Sequence, residues 1–364
     1  MPTSDSADPA SLDLAPLDLA SLDLAPLQYV HSPSFAELLT QLGISLFVST
    51  YQAGRLMVVQ AQGEKLSTLL RNFVQVMGLA LTPHRLAIGT RNQVHFFRNV
   101  STATNAFAAE NRSDNPPDAC YAPRHSIVTG DIRVHELAWV EDQLWVVNTQ
   151  FSCLCTLHPD YSFVPQWRPP FITQIAMGDR CHLNGFAVVE GQPKYATVFA
   201  RTDVSQGWRS HKVDGGCILD IPTGEVVAHG LSMPHSPRVY AGQLWVLNSG
   251  RGQLVTVDLN TGALTTVAEF PGFTRGLAFY GRYALIGLSQ IREKETFGGL
   301  PLEDRFDDLK CGVWAIDIVT GETVAFLEFQ DGCSELFDLQ VLSTAQHPMV
   351  LGFQKEDINR LFFW

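Results

Sequence analysis

His135-Glu136-Leu137-Ala138-Trp139 runs into Gln143-Leu144-Trp145-Val146-Val147-Asn148, and further along His235-Ser236-Pro237-Arg238-Val239 runs into Gln243-Leu244-Trp245-Val246-Leu247-Asn248. In each unit the glutamine stands eight positions after the histidine. An internal repeat of this kind decides the architecture before any single residue is weighed. The apolar runs around it have strand length rather than helix length. Asp-x-x-Thr-Gly recurs at residues 220–224, 258–262 and 317–321, each time between two apolar runs. Asp and Gly at those offsets predict tight hairpin turns.

Aligned on these marks, innermost strands are predicted to begin near Met77, His135, Asn184, His235, Arg275 and Phe337. Spacings of roughly 40 to 60 residues suit four-stranded propeller blades. The clearest blade has strands predicted at residues 237–240, 244–248, 254–258 and 264–270. Residues 46–72 supply the second, third and fourth strands of a blade but no first strand. The segment from Ser34 to Leu39 before them reads as a capped short helix instead. The missing first strand is predicted at residues 336–342, so the two ends of the chain close a ring. The expectation is an all-β fold, a six-bladed β-propeller closed by N- and C-terminal strands. A seven-bladed alternative rests on residues 348–353 and 361–364. Residues 1–33 are expected to be a disordered low-complexity tail, with SLDLAPLDLASLDLAPL at 11–27 as a minor candidate for binding a protein partner. Residues 34–364 are expected to form one propeller domain.

Composition narrows the function classes. The chain has 364 residues, 46% hydrophobic and 17% charged, which is enough for a sizeable core. Its formal net charge of -12 disfavours binding to phosphate backbones, so no nucleic-acid partner is expected. No run approaches the ~20 apolar residues that span a bilayer, so no membrane partner is expected either. No basic and apolar secretory leader is evident, and the seven cysteines show no paired spacing, which points to reduced thiols in the cytoplasm. Phosphate-cradling glycine motifs are missing, so no nucleotide cofactor is expected.

Strands alternate in direction within a blade, so the starts of the inner strands and the loops after each second strand share one face. Three long segments are expected there: residues 99–134 with Cys120, Arg124 and His125; residues 201–216 with Trp208 and Arg209; and residues 289–310 with Arg292 and Phe297. Long loops on a rigid scaffold are where binding concentrates. The inner-strand starts add His135, Glu136, His182, Asn184, His235, Arg238, Arg275, Glu335 and Asp338 around the central channel. Three imidazoles near one axis offer metal ligands or acid–base groups.

The segments His135-Glu136-Leu137-Ala138-Trp139, Phe151-Ser152-Cys153-Leu154-Cys155, Asp179-Arg180-Cys181-His182-Leu183-Asn184-Gly185, Met233-Pro234-His235-Ser236-Pro237-Arg238 and Phe297-Gly298-Gly299-Leu300-Pro301 together resemble an uncharacterised bacterial family of conserved proteins. The resemblance covers about residues 34 to 345 and implies no activity. More loosely, the chain is similar to six-bladed propeller enzymes with a metal in the channel, the gluconolactonase-like and streptogramin-lyase-like proteins; that likeness is one of fold alone.

These readings converge on a small anionic or polar substrate, or a polymer ligand, bound at the channel mouth. His135, His182 and His235 would hold a divalent transition metal (Zn, Fe, Mn or Cu) that activates water or polarises the substrate. Glu136 or Glu335 would act as general base. Arg238 and Arg275, with Asn184, Trp208 and Arg209, would bind the substrate. Hydrolase or lyase chemistry is the preferred class, and a non-catalytic scaffold for a protein or glycan partner is the alternative.

Overall fold

The computed structural model describes residues 26–100, 116–291, 298–353 and 362. Six antiparallel four-stranded blades form the ring, two of them extended by a fifth strand at the outer edge, each with its innermost strand at the channel. Blade 1 takes its innermost strand, Asp338–Leu342, from the far end of the chain and continues with Ser45–Thr50, Arg55–Gln62 and Lys65–Asn72. Innermost strands of blades 2 to 6 are Leu79–Leu81, Val134–Val140, Leu183–Val189, Pro234–Tyr240 and Phe273–Tyr280. Each lies within a few residues of its predicted start. Closure runs through Ser49 opposite Asp338 and Ser45 opposite Leu342.

The core follows from this stacking. Second and third strands are covered on both faces by neighbouring blades, so Ser45–Thr50 and Gly312–Asp317 are buried throughout. The outermost Tyr161–Trp167 is largely exposed. Apolar side chains collect in layers between blades; Leu183 and Phe186 of blade 4, for example, meet Val147 and Leu154 of blade 3. The Asp-x-x-Thr-Gly segments are the expected turns. Gly224, Gly262 and Gly321 sit at φ 74, 72 and 75 and donate back to the carbonyls of Asp220, Asp258 and Asp317.

The ends of the chain differ from expectation. Gln28–His31 is not tail: it pairs antiparallel with Thr323–Asp331 on the outside of blade 6. The helix Pro33–Leu42 follows, with Pro33 at its first turn and Gly43 in the left-handed conformation at its end. Residues 1–25, which carry most of the low-complexity repeat, lie outside the described residues. There is no seventh blade in residues 348–353, because Pro348–Val350 adds in parallel to Ala119–Tyr121 at the outer edge of blade 2. Of residues 361–364 only Phe362 is described. Both additions cover strand edges that would otherwise be exposed.

Residues 99–134 are not one long loop. Ala119–Val128 is the outermost strand of blade 2, so Cys120, Arg124 and His125 lie on the blade and not at the channel mouth. Pro123 hides this strand in the sequence, and it falls where the register shifts opposite Phe96 and Phe97.

Candidate functional site at the channel mouth

The expected face carries a cavity of about 320 Å3 over the channel. His135, His182, His235, Arg275, Glu335, Trp208 and Arg209 all line it, so seven of the ten candidate residues come together. The short helix Gly207–His211 brings Trp208 and Arg209 to the rim. Arg292 and Phe297 lie outside the described residues, but Leu300 and Leu302 pack with Trp208, Phe199 and Phe273 behind the wall.

The other three candidates are elsewhere. Asn184 is structural: its amide nitrogen donates to the carbonyl of His182 at 3.2 Å, and its oxygen accepts from Thr197 at 2.9 Å. Glu136 and Arg238 pair with each other and line the opposite mouth of the channel. The physical reason is depth along the inner strand: Glu136 sits one position deeper than His135, and Arg238 sits three positions deeper than His235. A small void lies between the two mouths, touched by His135, Arg275 and Phe337 from above and by Glu136 from below.

The strand position just below the site alternates around the ring. Blades 2, 4 and 6 place Gly78, Gly185 and Gly276 there, whereas blades 1, 3 and 5 place Asp338, Glu136 and Ser236. A Cβ on Gly185 would stand 2.6 Å from Glu136 Oε2, and one on Gly78 would stand 2.8 Å from the His135 carbonyl oxygen. The glycines therefore make room for the buried polar groups of their neighbours.

The three histidines are close. The His135 ring centroid lies 4.8 Å from that of His182 and 6.4 Å from that of His235. One nitrogen of each ring is already committed. Arg275 Nη2 donates to His135 Nε2 at 3.1 Å, which puts a fixed cation where a metal would approach. Nδ1 of His235 bonds the Met233 carbonyl and Ser249, both at 3.0 Å. Among the described residues no group of three or more His, Cys, Asp or Glu is arranged to hold a metal ion. Burial and the nearby arginine hold the pKa of His235 well below the usual imidazole value; for His135, burial acts first, then His182 and Arg275. Both rings are therefore neutral.

One partner of a candidate residue, Asp179, escaped the sequence reading. Asp179 holds Nδ1 of His182 with both carboxylate oxygens, at 2.9 and 3.0 Å. Arg133 in turn holds Asp179 at 3.0 Å. Asp179 and His182 both adopt left-handed backbone, φ 47 and 49, a strain that non-glycine residues keep only where the surroundings enforce it. Phe199 and Trp208 pack on the imidazole at 4.2 and 4.6 Å between centroids. With Nδ1 fixed, Nε2 is the nitrogen left to the cavity. The signal was present as an acid three positions before the histidine in Asp179-Arg180-Cys181-His182.

The cavity's charge is uneven. Four arginines, Arg91, Arg133, Arg209 and Arg275, face three carboxylates, Asp131, Asp179 and Glu335. The pairs Arg91–Asp131 and Arg275–Glu335 are loose, at 3.7 and 3.5 Å. With two histidines neutral, the surplus favours an anion.

Comparison with known proteins fits this architecture. Residues 33–351 match the family model described as Domain of unknown function (DUF4915). The chain belongs to the DUF4915 family. The expected uncharacterised family is thus shown. The DUF4915 chain is similar in fold to a chain of the crystal structure of a nidogen/laminin complex, with a TM-score of 0.50, 10% identity and coverage of 83% of this chain and 99% of that one. It is also similar to a protein of unknown function from Bacteroides caccae, with a TM-score of 0.48, 9% identity and coverage of 82% and 99%. At such identities the first likeness speaks for the propeller fold alone. No curated protein matches the DUF4915 chain.

Proposed function

We propose that the channel-mouth cavity binds a small organic anion and acts on it by proton transfer, in a hydrolase or lyase reaction that needs no metal. The observation that carries this reading is the Asp179–His182 pair, whose free nitrogen opens on an arginine-rich, aromatic-walled cavity. Arg275 would hold the anionic group, because its contact with Glu335 is long enough for a ligand carboxylate to replace. Arg209, stacked 5.0 Å from the Trp208 ring centroid, would close over it from the rim.

His182 takes the role of general base first expected of Glu136 or Glu335. Asp179 fixes its tautomer and stabilises the cation formed when Nε2 accepts a proton, either from water or from a carbon beside the anionic group. Neutral His235 offers an acceptor that can orient a substrate hydroxyl. Among the described residues no helix is long and apolar enough to cross a membrane. All seven cysteines are free and buried, which supports a reducing compartment such as the cytoplasm.

The test is a thermal-shift and calorimetric screen of small carboxylates, sulfates and phosphates against the wild-type protein and Arg275→Gln. Binding that disappears in the variant supports the reading. No anion bound by the wild type, or binding indifferent to Arg275, overturns it.

A further inference from the structure

We propose that the opposite mouth of the channel is a second ligand site, which takes a short aliphatic monocarboxylate on Arg238. This mouth is a cavity of about 270 Å3. Glu136 and Arg238 are the charged groups among its described lining residues, and Leu81, Leu137, Val188 and Val239 give it aliphatic walls.

Arg238 is held ready. Its Nε donates to the Leu277 carbonyl at 3.1 Å, and its Nη1 donates to Glu136 and to the Pro237 carbonyl. Those contacts fix the plane of the guanidinium and leave Nη2 to the cavity. A carboxylate reaching Nη2 makes a charge-assisted hydrogen bond to a donor that needs no reordering. Its alkyl chain lies along the aliphatic wall and leaves water.

Charge decides when this happens. While Glu136 is ionised it neutralises Arg238, and Asp338 stands behind it, so a second anion is disfavoured. Once Glu136 takes up a proton, the charge of Arg238 is available. The groups facing Glu136 are Arg238 from blade 5, Asp338 from blade 1 and, across the small void, His135, His235 and Arg275. Blades 2 and 4 meet it with Gly78, Gly185 and the Phe186 backbone, none of which titrates. Burial and Asp338 outweigh Arg238 and raise the Glu136 carboxyl to about 7. Carboxylate binding is therefore linked to proton uptake near neutrality.

Calorimetry with hexanoate on the full chain, one unit below and one unit above the Glu136 value, tests the proposal. Affinity should fall about tenfold across that interval, in step with the protonated fraction of Glu136. Arg238→Gln should abolish binding, and Glu136→Gln should keep it while removing its pH dependence. Val188→Trp fills the mouth without touching a charge and should also abolish binding, which guards against a folding defect in the Arg238 variant. His182→Gln lies on the other face and should leave hexanoate binding unchanged, so this site and the proton-transfer site fail separately. Absence of hexanoate binding at both pH values, or binding that survives Val188→Trp, overturns the proposal. Loss of binding in His182→Gln overturns it as well, by moving the ligand to the site face.

Discussion

Arg275 donates from Nη2 to Nε2 of His135 at 3.1 Å, and this contact sets the character of the channel mouth. A guanidinium can only donate, so His135 Nε2 is an acceptor and the proton of the neutral ring sits on Nδ1. That Nδ1 is buried and, among the described residues, has no hydrogen-bond partner. His135 is thus held by a fixed cation.

The first prediction concerns metal. Purified protein should contain no stoichiometric zinc, iron, manganese or copper by elemental analysis, and chelator treatment should leave its melting temperature unchanged. A stoichiometric metal lost in His135→Ala would refute the reading of Arg275 as the resident cation.

The Asp179–His182 pair gives the second. For any anion that the protein turns over, His182→Gln should lower kcat by about 10²–10⁴-fold. Asp179→Asn should lower it less, because the imidazolium formed in the reaction loses its partner. Calorimetric affinity for the anion should change little in either variant. A large rise in Kd with kcat intact would make His182 a binding group instead.

Gly185 tests the alternation around the ring. A methyl group there would meet Glu136 Oε2 at 2.6 Å and Pro237 Cδ at 2.7 Å. Gly185→Ala should cost about 1–3 kcal/mol, the usual penalty for overpacking. The urea midpoint measures it, and an unchanged midpoint would show that the channel yields easily.

A pH-dependent stability follows from Glu136. Its carboxyl is raised in the folded state to about 7 from the usual 4.5, by burial first. The folded state therefore binds the proton more tightly than the unfolded state does. The stabilising contribution is present at acidic pH and is lost as pH rises from the ordinary carboxylate value through about 7. Its full size is on the order of 3 kcal/mol. His135 and His235 act in the opposite sense, losing stability as pH falls below the usual imidazole value, so wild type alone gives a mixed curve. Comparison with Glu136→Gln isolates the carboxyl: relative to wild type, the variant should gain stability between mildly acidic and mildly alkaline pH. A constant difference in urea midpoints would contradict the assignment.

Much of this was legible in the sequence because blade periodicity repeats locally. The duplicated His…Gln-Leu-Trp unit and the Asp-x-x-Thr-Gly turns mark the strand order within blades, and the strand missing before residues 46–72 points to closure by residues 336–342. Which residues share a cavity was less legible. His135 and Glu136 are adjacent in sequence yet serve opposite mouths, because each step along an inner strand moves a side chain down the channel. Asp179 was missed because its role depends on a left-handed turn that folds it back onto His182. Ala119–Val128 was missed because Pro123 interrupts the strand pattern.

Blade 1 is assembled from both ends of the chain, and its last-made strand region carries Glu335, Phe337 and Asp338 into the channel. During synthesis, blades 2 to 6 can stack as an open arc while the chain is still emerging. The pocket floor cannot exist until the final strand has docked beside Ser45–Thr50. A chain lacking that strand would lose the proposed anion site together with the closed ring, so ligand binding would report on whether the strand has docked.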